Sequence, residues 1–320
     1  MASSISLPSF AAKSSGILNP DGTPISESFS PTNGGMFRNG FINGDFQIWQ
    51  RATSHSSNGY GSADRWQLSI SGTTGSMSRQ THTLGQTDVP GNPTYFLRQV
   101  VSSVANANNF SILRQNIEGV SRFAGQTVTI SFYAKADAAK PISVEATQSF
   151  GTGGSPSAAV TGVGVKTTLS TAWARYTVQL AIPSIAGKTI GTNGDDYLQI
   201  NFWLDAGSTF NTRTNTLGQQ SGTFDISGVQ IEAGSSATPF EFREIGTEAE
   251  LCYRFYEKGN VYVPSTGESP TNWFFKTTKR ATPSITGGGA GYGTFAPSAN
   301  SIAHRQTAAG TQVLEAYAEL

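Results

Sequence analysis

The 320-residue chain reads as an all-β protein: a β-sandwich of the jelly-roll type, then a short helix and a second small β domain, preceded by an extended N-terminal arm. Three observations predict this. From Phe37 to about Phe242, short apolar runs alternate with polar residues at period two, as half-buried strands require. Clusters of Gly, Pro, Asn and Ser punctuate those runs at the spacing of a sandwich or barrel. One stretch alone combines a helix start signal with apolar residues on one face.

Residues 1–36 are rich in Ser, Pro, Gly and Asn and show no sustained period, so they form no core of their own and read as an arm. Residues 37–246 make the sandwich. Its clearest strands run Tyr95 to Val101, Val128 to Lys135, Ile142 to Thr147, Ala174 to Ile182, Leu198 to Asp205 and Phe224 to Ile231. In VTISFYAK the inward set is Val128, Ile130, Phe132 and Ala134; in LQINFWLD it is Leu198, Ile200, Phe202 and Leu204. In FDISGVQIEAG the alternation changes phase between Ile226 and Val229, which predicts a bulge at Gly228. A linking helix is expected over 247–258, with Thr247 as N-cap, Glu250 completing a capping box, and Leu251, Cys252, Phe255 and Tyr256 on one face. Residues 259–320 return to short β segments around a Gly-rich stretch. They bury little surface alone, so neighbouring subunits are expected to complete them.

Composition narrows the function. Only 13% of residues are charged, and 21 basic side chains balance 21 acidic ones, which leaves no electrostatic footprint for nucleic acid or an anionic membrane. The single cysteine, Cys252, permits no intrachain disulfide and reads as a small buried side chain. Neither a signal peptide nor a membrane span is expected, because the first thirty residues lack a basic start with an apolar core and no eighteen apolar residues run together. His55, His82 and His304 lie far apart without metal-ligand spacing, and no G-x-S-x-G or H-E-x-x-H occurs. Glycoside hydrolysis needs only two carboxylates about 5 to 9.5 Å apart, for which Asp195, Asp196, Asp205 and Glu145 are the available acids. They form no concentrated cluster, and a non-enzymatic chain is the expectation.

A sugar site needs an exposed aromatic ring with amides and carboxylates beside it. Trp203 flanked by Asn201 and Asp205, and Tyr133 flanked by Ser131 and Lys135, supply those groups on the outward side of their strands. Either these aromatics form a ligand platform, or they pack against another domain or protomer.

Five segments then resemble, in order, a domain that recurs in tail-fibre and related virion proteins of tailed bacteriophages. They are RNGFINGDFQIWQR (Arg38 to Arg51), ADRW (Ala63 to Trp66), QTVTISFYAKA (Gln126 to Ala136), AWARYTV (Ala172 to Val178) and GVQIEAGSSATPFEFREIGTEAELCYRFYEK (Gly228 to Lys258). The likeness covers about residues 37–258, and its last segment is the most specific. It implies a jelly roll like those of carbohydrate-binding modules, with the NGDF segment near the strand FDISGVQIE. It also implies a homotrimeric fibre or spike in the virion, attached to other virion proteins through residues 1–36, with host-surface glycan as a possible ligand. The arm is brief and no coiled-coil or β-helical shaft follows it, a departure from longer relatives that leaves a tail fibre, a baseplate fibre and a short capsid fibre all open. Such jelly rolls often hold a structural Ca²⁺ where first and last strands meet, for which Asp45 and Asp225 are the oxygen donors here. Two further classes stay open: a stand-alone carbohydrate-binding module and a capsule depolymerase.

Overall fold

Alternation in the strands is realised as two antiparallel six-stranded sheets packed face to face, a β-sandwich. The computed structural model describes residues 38–263, 271–287, 293–295, 298–305 and 310–320; the arm expected over 1–36 lies outside them. Sheet one runs β1 (Ser54–His55), β3 (Thr74–Thr81), β4 (Tyr95–Ser102), β12 (Gly222–Ala233), β6 (Thr127–Ala136) and β10 (Ala174–Ala181). Sheet two runs β2 (Gln67–Ser71), β5 (Phe110–Glu118), β11 (Tyr197–Ala206) and β7 (Lys140–Ser149), with β8 (Val160–Thr161) and β9 (Val165–Leu169) both paired to β7.

Both inward sets read from the sequence are fully buried: Val128, Ile130, Phe132 and Ala134 from sheet one, and Leu198, Ile200, Phe202 and Leu204 from sheet two. Phe132 meets Phe202 edge-on with ring centres 5.4 Å apart, which locks the two layers together. The phase change in β12 is the expected bulge. Pairing with β6 shifts between Ser227 and Gln230, and Gly228 adopts φ 57°, where a Cβ would be strained. Phe224 and Ile226 before the bulge, and Val229 and Ile231 after it, therefore all face the core.

The sandwich is closed by its first described residues. Asn39 donates to the Val229 carbonyl (2.9 Å) and accepts from the Ile231 amide (3.0 Å). Gly40 donates to the Ile231 carbonyl at 2.9 Å, and the Val229 amide donates to Gly44 at 2.8 Å. Asn43 adopts φ 57°, which its short amide tolerates. Its side chain bonds both backbone groups of Ile48 and the Asp64 carbonyl, and its own carbonyl accepts the Trp66 indole N–H at 2.9 Å. NGDF and ADRW thus form one buried turn.

After β11 the chain makes a four-residue helix, α1 (Asn211–Thr214), and after β12 a longer one, α2 (Ile245–Tyr253). The expected start at Thr247 is corrected. Glu244 is the N-cap, and its carboxylate accepts from the Thr247 amide at 3.1 Å. The helix also ends earlier than expected, because Phe255 and Tyr256 leave it to pack and open the next strand. Beyond α2, β13 (Tyr256–Val263), β18 (Gly310–Tyr317) and β15 (Ser284–Gly287) form one small sheet. A second contains β14 (Thr271–Phe274), β17 (Ser301–Arg305) and β16 (Gly293–Phe295). Trp273, Ile302, Leu314 and Ala316 contribute to a core between them. The described residues belong to one compact unit.

A Cβ on Gly44 would lie 2.2 Å from the Val229 carbonyl oxygen, a backbone atom that cannot swing aside. Gly44→Ala is expected to lower unfolding free energy by about 1–3 kcal/mol in urea titrations, at unchanged m-value.

Candidate functional site

The outward side of sheet two carries three of the residues expected to bind ligand. The parity expected for Trp203, Asn201 and Asp205 holds, but the expected exposure does not: they are 1%, 1% and 0% exposed. The chain folds back over them after β11. Phe210 places its ring 5.1 Å from Trp203 and Phe110 closes at 5.8 Å, with Leu217 in the same cluster. The Trp203 indole donates to Glu145 at 3.1 Å, as does the Asn201 amide at 2.9 Å. Arg213, carried by α1, binds the same carboxylate at 3.0 Å and lies 4.9 Å from the Trp203 ring. Asp205 accepts from Thr73 (2.8 Å), Ser103 (2.9 Å) and the Gln220 amide (2.7 Å). These residues therefore seat the 208–217 segment and offer no open platform. Burying an indole against two phenyl rings removes more apolar surface than leaving it on a wet face. Glu145→Ala would strip the partner from four donors, the Thr147 hydroxyl included and two of them buried, and should cost about 3 kcal/mol in chemical denaturation.

Tyr133 projects from sheet one, so it never shares a face with Trp203. Its ring packs across Gly228, where a Cβ would come within 3.2 Å of it, with Phe240 close behind. The ring is half-buried rather than open, and it lines a small crevice with Phe240 and Phe242.

The two aspartates expected to hold Ca²⁺ do not fit that ion. Asp225 is gripped by Arg98 through both oxygens (2.7 and 2.9 Å) with Lys135 at 3.8 Å. Asp45 lies beside Glu248 and Arg243. Where first and last strands meet, the positive charge is the Arg243 guanidinium, which donates to the Phe41 carbonyl (3.0 Å), the Asn39 carbonyl, Glu248 (3.2 Å) and Glu241 (3.3 Å). Among the described residues no group of three or more His, Cys, Asp or Glu gathers as metal ligands. An arginine stands where a divalent ion was expected.

Burial, reinforced by Glu248, pushes the Asp45 carboxyl up from 3.8 to about 6. The folded state then holds this proton more tightly than the unfolded chain. Its contribution is fully present below 3.8 and is lost as pH rises through about 6. In Asp45→Asn that loss disappears, so thermal melts should show a smaller fall in stability between about pH 4 and about pH 7 than the parent chain.

The outward side of sheet one does assemble recognition chemistry. Trp173, just before β10, meets Phe96 edge-on at 5.1 Å and His82 at 5.1 Å, while His82 and Phe96 lie 4.7 Å apart. Lys135 reaches 5.3 Å from the half-buried indole, and the Arg98–Asp225–Lys135 ion cluster continues from it. Burial, with Lys135 next, pushes the His82 imidazole below its usual range, favouring the neutral ring that meets Ser227 at 3.3 Å. The result is an indole braced by two other rings, beside polar groups fixed by one another. Trp173 and His82 lie just outside strands, where alternation assigns no face; the tryptophan in AWARYTV was the available signal.

No family model and no curated protein matches the chain. Among solved structures it is similar to a CBM4 module, at 18% identity over 60% of this chain and 98% of that one, with a TM-score of 0.35. It is similar to the family 11 carbohydrate-binding module of the cellulosomal cellulase Lic26A-Cel5E of Clostridium thermocellum (12% identity, 62% and 96% coverage, TM-score 0.35). It is also similar to the enzymatically active domain of tailspike protein 4 of bacteriophage CBA120, at 14% identity and TM-score 0.35, over 62% of this chain but only 22% of that one.

Proposed function

We propose that the chain is a non-enzymatic, glycan-binding subunit of a tailed-phage fibre or spike. It works as a homotrimer attached to other virion proteins through residues 1–36. The observation that carries the glycan part is the Trp173 platform: an indole held by Phe96 and His82, with Lys135 and the Arg98–Asp225 pair alongside. A sugar presents a flat apolar face ringed by hydroxyls, and that pairing of ring and fixed charges matches it. Order and spacing of the NGDF, ADRW and GVQIEAG to CYRFYEK segments support the phage part.

The acids that could have served hydrolysis are engaged elsewhere. Asp195 accepts from the Thr152 amide and hydroxyl (2.7 and 2.6 Å), and Asp196 accepts from the Val120 amide at 2.7 Å. Glu145 and Asp205 are fully buried. This supports a binding role over a depolymerase.

A glycan array of the intact chain should give hits that Trp173→Ala weakens about tenfold or more, with little change in melting temperature. Array binding indifferent to that substitution would sink the platform. Sedimentation should show a trimer; a stable monomer at micromolar concentration, or release of reducing ends from host polysaccharide, would overturn the corresponding half of the proposal.

A further inference from the structure

A cavity of about 230 Å³ opens between the sandwich and α2, lined by four arginines, Arg65, Arg122, Arg243 and Arg254, against one carboxylate, Glu118. Three of these cations have counter-charges. Arg254 binds Glu118 through two bonds (2.7 and 2.9 Å), Arg243 pairs with Glu241 and Glu248, and Arg65 pairs with Glu319. Arg122 pairs with no carboxylate among the described residues and has only its neighbour's Phe123 ring at 5.5 Å. Arg65, which also lines the cavity, is 1% exposed, and its Nε–H finds no hydrogen-bond acceptor among the described residues. Ile42 and Leu251 give the same cavity an apolar wall.

We infer that this cavity binds a carboxylate-bearing sugar ring, a residue of the uronic-acid class, with Arg122 taking the carboxylate and the Ile42–Leu251 wall taking the apolar face of the ring. A planar guanidinium matches a carboxylate through two parallel bonds, which a neutral hydroxyl cannot reproduce. The volume suits one ring, below the range of drug-sized pockets at about 300–1,000 Å³. A bare phosphate would leave the apolar wall unused. Partial burial, with the nearby Arg243 next, pushes the Arg122 guanidinium below its usual range. Arg122 is exposed while Arg65 and Arg243 are buried, which gives the cavity an entrance and a floor. The inference is independent of the Trp173 platform, from which it differs in residues and in ligand charge.

Calorimetry on the intact chain with sodium glucuronate, glucose and inorganic phosphate tests it. Glucuronate should bind at millimolar concentration, more weakly as salt rises, and glucose should not. Arg122→Ala should weaken glucuronate about tenfold or more, and Arg122→Lys by less, since a point charge replaces a fork. Melting temperature should change little because Arg122 is exposed and forms no ion pair among the described residues. Trp173→Ala should leave glucuronate binding intact, which separates this site from the platform. Equal binding of glucose, phosphate binding as tight as glucuronate, no binding of glucuronate, or full binding by Arg122→Ala would each overturn it.

Discussion

Arg65 stacks on the Phe255 ring at 3.5 Å and Arg51 on the Tyr256 ring at 3.6 Å, and both guanidinium groups converge on Glu319. Stripping water from two cations costs several kcal/mol each, and the geometry has to offset it. It does so with rings on one side and oxygen on the other, since Arg65 also donates to the Asn116 carbonyl at 2.6 Å and Asp64 lies 3.8 Å from Arg51. Because Phe255 and Tyr256 follow directly on α2, the same stacking sets where that helix lies, and with it the arginine-lined cavity. Breaking it would release the last residues and the cavity wall together.

The first two of the five sequence segments and the last are the ones this junction uses. Asn39, Asn43, Gly44, Asp64, Arg65 and Trp66 come from the first two segments, and Arg243 and Glu248 from the last. All of them close the sandwich or hold its neighbours. The Asn43 amide donates to Glu248, and Arg243 reaches back to the carbonyls of Asn39 and Phe41. These segments therefore serve architecture, and the residues proposed to choose a ligand lie outside them or at their edges. Trp173 and Arg122, the residues given ligand roles here, flank strands on opposite sides of that framework.

Strands with unbroken apolar alternation were legible: β6 and β11 each put four apolar side chains inward without interruption. β5 was not. It buries Ser111 and Gln115, and those polar groups are tolerated only because Gln99 bonds Ser111 (2.9 Å) and Gln115 bonds both backbone groups of Ile42 (2.9 Å). Partners so far along the chain leave no local pattern. β3 carries one core residue, Met77, because it lies near the sheet edge. The candidate site was harder still. Period two assigns Trp203 a face correctly but says nothing about what lies above it, and the cover comes from Phe210 and Leu217 in an irregular segment. Exposure is a tertiary property, whereas alternation is a local one.

The pairing of Arg65 with Glu319 spans 254 residues of sequence. On a ribosome both buried cations emerge long before their counter-ion, and the sandwich can collapse while they are still hydrated. Docking of β18 with Glu319 is then the event that dehydrates them. Without β18 and the residues after it, Arg65 keeps its water and β13 and β15 lose the strand between them, and such unpaired edges invite mispairing with other chains. The two arginines therefore lose their water only when a residue from the far side of the chain arrives to replace it.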